Sequence, residues 1–370
     1  MKILLVDDDQ LVLNGLRRAL FSADCSVITA NSGKEALEKL AYEECDLIIS
    51  DMMMPQMDGS QLLEEVSQKY PWIIRASLSG YADPQMTVRG GFYAHQAFMK
   101  PCDTSMLKAE IQRISNMLER FPDRLIQNAI GTITSLPVTL DLYQKVKVML
   151  EDEQSSIQDL ADVIQNDPAI CAKLIQIANN AIFRGKREIN SVEGALNRLG
   201  TQIVVNIVAM LELYVGDKHK PSKALENLRQ HSLIVANLTA KLAPQGESNT
   251  GFLIGVLHQI GEFVRTLILP ELMKKYLTSG GEKHDFRHLE EHLFNTNSEQ
   301  LGAYLLHLWA FPSPIIESVL NQNNEQLVLE QPYSFTTALY IAKKIANGET
   351  VNVELVDKFE LTETLVQLQV

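Results

Sequence analysis

At 370 residues the chain is long enough for two or three domains, each able to bury its own core. Its composition, 46% hydrophobic and 21% charged, is that of an ordinary globular protein, and a formal net charge of −13 argues against a surface built to contact nucleic-acid phosphates. Four scattered cysteines, Cys25, Cys45, Cys102 and Cys171, form no CxxC pair and no metal spacing, which fits reduced thiols in a cytoplasmic protein rather than a disulfide scaffold.

The chain starts Met-Lys-Ile-Leu-Leu-Val-Asp-Asp-Asp, with acids where a signal peptide would carry its apolar core. Lys2 to Val6 is predicted as a first strand, followed by a helical stripe from Leu11 to Leu20. Ser26 to Ala30 is a second strand, and the capping box Ser32-Gly-Lys-Glu35 opens a second helix over Ala36 to Tyr42. The apolar run Leu47 to Ser50 rises to Asp51, and the chain then turns through Pro55 and Gly59 into a helix from Gln61 to Lys69. Ile73 to Leu78 is a fourth strand ending in Ser79-Gly80. A short helix from Asp83 and a fifth strand through Ala97 to Met99 follow, then Lys100-Pro101. Asp103 caps a last helix that runs to about Arg120.

Strands alternating with helices imply a doubly wound parallel sheet, whose ligands gather at the C-terminal strand ends. Asp7, Asp8 and Asp51 fall at such ends. Clustered carboxylates repel one another and are tolerated when a hard cation sits among them; oxygen-only donors suit Mg2+. Ser79 brings a hydroxyl and Lys100 an ammonium to the same edge, a set able to neutralise a transferring phosphoryl group. Each residue alone reads as a cap or a solvated turn residue, and Asp9, nearest the first helix, reads as its cap. The joint pattern carries the functional argument.

Val6-Asp7-Asp8, Asp51 with the following Met-Pro and Asp-Gly, Leu78-Ser79-Gly80-Tyr81-Ala82-Asp83 and Lys100-Pro101 together resemble a response-regulator receiver domain. The resemblance implies a five-stranded flavodoxin-like fold over residues 1–121. It implies Asp51 as phospho-acceptor, Mg2+ held by Asp7, Asp8, Asp51 and the backbone carbonyl of Met53, and Ser79 and Lys100 in contact with the acyl phosphate. The implied donor is a sensor histidine kinase or a phosphotransfer protein. One position departs from the family: the aromatic residue usual three places before the lysine is here Ala97, with Phe98 one place later and on the opposite face of the strand.

Phe121-Pro122-Asp123 reads as a boundary where contacts thin. Beyond it, over residues 125–370, strand patterns nearly vanish and an all-α domain is expected. Ser156 caps one helix, Asp167-Pro168 opens the next to Asn179, and Asn190-Ser191-Val-Glu193 begins another that ends at Leu199-Gly200. Thr201 to Tyr214 is apolar nearly all round and reads as a central buried helix. The most apolar long segment, the overlapping run Ile203 to Val215, carries Asn206 and Glu212 and is too short to span a membrane, so no anchor is expected. Further helices are expected at Lys223–Leu242, Gly251–Leu269, Ser298–Trp309, Pro314–Asn321 and Thr336–Ala346.

His288 and His292, four apart, lack the glutamate of an HExxH site and read as solvated; His231 and His258 lie in apolar surroundings without a carboxylate partner. Leu136-Pro137, Asn166-Asp167-Pro168-Ala169, Leu174-Ile175 with Ala178-Asn179-Asn180, Ala195-Leu196 with Leu199-Gly200, and Gly255-Val-Leu-His-Gln-Ile-Gly261 resemble the HDOD domain, a relative of the HD-type metal phosphohydrolases. Where those enzymes carry His-Asp, this chain has His258-Gln259, and Asn321-Gln322-Asn323-Asn324 stands where related chains often place a His-His pair. An amide brings no charge to a metal, so dinuclear hydrolysis is not expected.

The combined expectation is a cytoplasmic two-component response regulator. Phosphorylation of Asp51 would govern protein–protein contacts of a catalytically inactive output domain, through a downstream signalling protein or a homodimer, with no nucleic acid and no membrane involved. The alternatives are a receiver-regulated cyclic-dinucleotide phosphodiesterase or a second-messenger-binding module.

Overall fold

In the computed structural model the described residues are 1–21, 25–80, 92–121, 123–136, 138, 140–152, 154–179, 188–211, 223–268 and 296–368. The N-terminal third holds five strands: β1 (Lys2–Val6), β2 (Ser26–Ala30), β3 (Leu47–Asp51), β4 (Ile74–Ser79) and β5 (Gln96–Met99). They form one sheet of order β2-β1-β3-β4-β5, and every pair is parallel. Helices α1 (Gln10–Leu20), α2 (Gly33–Leu40), α3 (Gly59–Lys69) and α4 (Thr104–Arg120) accompany the sheet. The helix expected from Asp83 lies outside the described residues.

The caps follow the sequence closely. Asp9 caps α1, Ser32 caps α2 and Asp103 caps α4, each accepting a backbone N–H of the first turn. β3 and β4 are buried along their whole length, as expected of central strands covered on both faces. Alternate residues enter two cores. Ile74, Ala76, Leu78 and Phe98 join the large core that includes α4, whereas Leu4, Val6 and Ile48 join the smaller one under α2 and α3.

Beyond the sheet, the regular structure among the described residues is helical. It runs through α5 (Arg124–Gly131), α6 (Leu140–Glu151), α7 (Ile157–Ile164), α8 (Pro168–Asn179), α9 (Val192–Leu199), α10 (Thr201–Leu211) and α11 (Lys223–Leu242). It continues with α12 (Ser248–Leu257), α13 (Ile260–Ile268), α14 (Ser298–Leu308), α15 (Ser313–Leu320), α16 (Glu325–Glu330), α17 (Phe335–Ala346), α18 (Val353–Lys358) and α19 (Thr362–Leu368). The single helix expected from Gly251 to Leu269 is two helices broken at His258-Gln259. Uniform hydrophobicity hid that break, because no glycine or proline marks it. His288 and His292 lie outside the described residues. Among the described residues no single helix is long and apolar enough to cross a membrane.

The junction is the main correction to the sequence reading. Contacts do not thin at Phe121. Its ring is buried edge-on against Tyr304 with centroids 5.3 Å apart, and one hydrophobic core continues from the sheet into the helices. From α4, Arg113 donates to the His307 carbonyl at 2.9 Å, and Arg120 makes a two-pronged ion pair with Glu317 at 2.7 and 3.2 Å.

Candidate functional site

β1 and β3 are adjacent and in register, with Val6 opposite Ser50, so Asp7 and Asp51 emerge side by side at their C-terminal ends. Both are buried, whereas Asp8 is exposed. Single carboxylate oxygens of Asp7, Asp8 and Asp51 all lie within 4.8 Å of one another, the spacing of a cation site. Lys100, following β5, closes the group: its Nζ stands 2.6 Å from Asp7 Oδ2 and 2.8 Å from Asp51 Oδ1. The backbone pins this arrangement. Asp9 N–H donates to Asp7 Oδ1 at 3.0 Å, and Lys100 N–H donates to the Ser79 carbonyl at 2.7 Å.

The electrostatics agree with the donor set. Burial raises the Asp51 carboxyl above the usual carboxylate range, Lys100 opposes the rise, and the charge of Asp7 adds to it. Burial acts downward on the Lys100 ammonium, but its bonds to Asp51 and Asp7 outweigh that and hold it above the usual lysine range. Three carboxylates against one ammonium leave negative charge in excess. Hard oxygen donors with that excess fit Mg2+, and the structure thus brings together Asp7, Asp8, Asp51 and Lys100 as expected.

Two expected members stand apart. The Ser79 hydroxyl donates to the Gly80 carbonyl at 3.2 Å rather than to Asp51, although β4 carries it to the same edge. Met53 follows β3 with an exposed side chain, in the right stretch for its carbonyl to face the acids. The sequence reading missed why Gly59 is glycine. It is the first residue of α3, where a Cβ would come 2.1 Å from the Asp51 carbonyl oxygen. Asp58 before it forms a capping box with Gln61, so cap and glycine together seat α3 against the end of β3.

The helical part holds a second polar centre. The rings of His231 and His258 are 5.6 Å apart, on a cavity of about 630 Å3 that Gln259, Glu299, Gln322 and Asn323 also line. His258 Nδ1 is 2.6 Å from the Gly255 carbonyl, which makes it the protonated ring nitrogen. Gln322 donates to the His258 carbonyl at 2.8 Å, and Lys343 Nζ donates to Gln322 Oε1 at 2.8 Å and Asn323 Oδ1 at 2.6 Å. Gln259 accepts from Ser232 and faces His231, each at 3.3 Å. The His258-Gln259 step and the amides of Gln322 and Asn323, far apart in sequence, meet at one cavity. Asp167 is not among them. It caps α8 through Ala169 and Ile170 and pairs with Arg229 at 3.2 Å, fully buried.

A parallel five-stranded sheet with an acidic, lysine-closed strand end, joined to an all-helical unit, defines the class. Family comparison is specific. Residues 3–112 match the response regulator receiver domain, and residues 136–325, about half the chain, match the HDOD domain. The chain belongs to the HDOD family and is a response regulator carrying a receiver domain ahead of its HDOD domain.

Among curated proteins it is 32% identical over 156 residues to the transcriptional regulatory protein GlrR of Escherichia coli, covering 41% of this chain and 34% of GlrR. It is 43% identical over 83 residues to the sensor kinase CckA of Brucella abortus, covering 22% of this chain and 9% of CckA. The chain thus spans about a third or less of these relatives. Among solved structures, the MmoQ response regulator of Methylococcus capsulatus superposes with a TM-score of 0.52 at 22% identity, over 61% of this chain and 90% of that one, a likeness of fold.

Proposed function

We propose that this response regulator acts as two units, residues 1–121 and 125–370. In this reading Asp51 is the phospho-acceptor, and its phosphorylation state controls protein–protein contacts of a helical unit without hydrolytic activity. The observation that carries the reading is the clustering of Asp7, Asp8 and Asp51 with Lys100 paired to two of them. A sensor histidine kinase or phosphotransfer protein supplies the phosphoryl group in the cytoplasm. A downstream signalling protein or a second copy of the chain receives the output.

In the transfer, an Asp51 carboxylate oxygen attacks phosphorus as the bond from phosphorus to the donor nitrogen breaks. Lys100 is already within 2.8 Å of Asp51, so its charge compensates the phosphoryl oxygens without a large movement. Ser79, carried by β4 to the same edge, would leave the Gly80 carbonyl to donate to the same group. Asp7 and Asp8, Asp51 itself and the Met53 carbonyl would hold Mg2+, which when bound neutralises phosphoryl charge. Labelling of the purified chain by a small phospho-donor with Mg2+ tests this: Asp51→Asn is expected to abolish it, and persistent labelling would overturn the assignment.

The absence of hydrolysis is supported by neutral amides at Gln259, Gln322 and Asn323, where a metal phosphohydrolase needs charged ligands. Turnover of a cyclic dinucleotide, with stoichiometric metal outside the receiver, would refute it. The polar cavity favours a second role, binding a small polar ligand without chemistry, and calorimetry with cyclic dinucleotides tests that role directly.

A further inference from the structure

Side chains on alternate positions of a strand share a face, so Ser79, Ser77 and Arg75 lie on one face of β4. β5 runs beside it in parallel register, Ser79 opposite Met99 and Ser77 opposite Ala97, which places His95 beside Arg75 just before β5 begins. Ser77 and Ala97 are both buried and small. This strip leads from the hydroxyl at the acidic site to Arg75, a distance of about 13 Å at strand rise.

Arg75 is fully buried, a costly place for a guanidinium, and it is tied down by carbonyls on both sides of the domain junction. Its Nε donates to the Tyr93 carbonyl at 2.7 Å, and its Nη2 donates at 2.9 Å to the carbonyl of Gly131, the last residue of α5. Gly131 has to be glycine there, since a Cβ would come 1.8 Å from the Pro71 carbonyl oxygen. The two units therefore meet backbone to backbone at this point.

His95 completes the junction in a strained way. Its Nδ1 faces the Arg75 backbone N–H at 3.1 Å and its Nε2 faces Arg75 Nη2 at 2.7 Å, both of them donors. A neutral imidazole has one acceptor nitrogen, so only one contact is satisfied at a time. The helical unit answers with Lys173 of α8, buried with its Nζ 4.3 Å from the Phe92 ring centroid, three residues before His95. The charge of Arg75 reaches His95, Lys173 and Tyr304 alike.

We propose that Arg75 and His95 form an interdomain clamp on Gly131, coupled to Asp51 through the β4–β5 strip, and that an acyl phosphate at Asp51 loosens it. This rests on Asp51 being the phospho-acceptor. It also assigns a route that needs no aromatic residue at position 97. A sub-ångström shift at the Ser79 end becomes a switch at the Arg75 end because the His95 contacts have two discrete arrangements.

Hydrogen exchange of the full chain, with and without beryllofluoride and Mg2+ as an acyl-phosphate mimic, tests the clamp. Slowed exchange around residues 51–59 reports binding at the acceptor. Exchange in residues 124–131 is then expected to speed up about tenfold, within the usual range of coupling between sites. In Arg75→Gln, or in Gly131→Ala approached from the other side, that helix should exchange fast from the start and stop responding to beryllofluoride. Protection at 51–59 with no change at 124–131 in the unsubstituted protein would overturn the clamp and leave the acceptor assignment standing. No protection at 51–59 would overturn both.

Discussion

The chain contains two polar centres of opposite design. The receiver gathers three carboxylates and an ammonium at the exposed end of a sheet, so charge is concentrated where a cation and a phosphoryl group can reach it. The helical unit gathers two histidines and several amides around a cavity of about 630 Å3, where Gln322 bonds the His258 carbonyl and the Lys343 ammonium holds Gln322 and Asn323. The first arrangement is electrostatically incomplete without a ligand. The second mixes amides and imidazoles with charges of both signs, Glu299 and Lys343 among them. That difference fits the proposed reading, in which the first site accepts a phosphoryl group and the second does no hydrolysis.

The sharpest break in the comparison is between two buried aspartates. Asp51→Asn should remove phospho-labelling entirely while leaving the melting temperature unchanged or higher, because it removes a charge that burial, and secondarily Asp7, disfavours. The sign follows from a carboxyl raised in the folded state, whose contribution to stability falls as pH rises through its window. Asp167→Asn should do the reverse, costing about 3–5 kcal/mol by leaving Arg229 buried without its partner's charge, read by denaturant unfolding, with labelling retained.

Gly59→Ala lies between these cases. Overpacking against the Asp51 carbonyl should cost about 1–3 kcal/mol and also slow labelling, since the strain falls on the strand that carries Asp51. The junction has its own pH signature. Burial first, and then the charge of Arg75, lowers the Lys173 pKa from 10.5 to about 7. The folded chain therefore releases this proton earlier than the unfolded one, and stability should climb from about pH 7 up to the ordinary lysine range. Unfolding measured across that window should show the rise, and Lys173→Met should flatten it. The smallest effect is at a cap: Ser156→Ala, which removes the hydroxyl that accepts the Asp159 N–H while leaving the backbone half of the capping box, should cost about 1 kcal/mol.

Much of the receiver was legible because its signals are local. Strands end in acids, caps sit one residue before helices, and short apolar runs mark the strands buried on both faces. Asp7, Asp8, Asp51 and Lys100 could be named because each lies at the end of a recognisable element. The helical unit was legible as helices but less so as a site. The break at His258-Gln259 carries no glycine or proline, and Arg229 stands far along the chain from the Asp167 it pairs with.

From sequence alone came the parallel α/β fold, the helical second unit, the strand-end acids and the amides standing where metal ligands would be. Only the tertiary structure decided that Gly59 and Gly131 are points of backbone contact, that Phe121 is buried in a continuous core, and that Arg75 reaches across to Gly131. The physical reason is range. Propensity, capping and alternation act over a few residues and leave their mark in the local pattern. Close packing and buried hydrogen bonds join residues 56 positions apart, as from Arg75 to Gly131, or more, and leave no local trace.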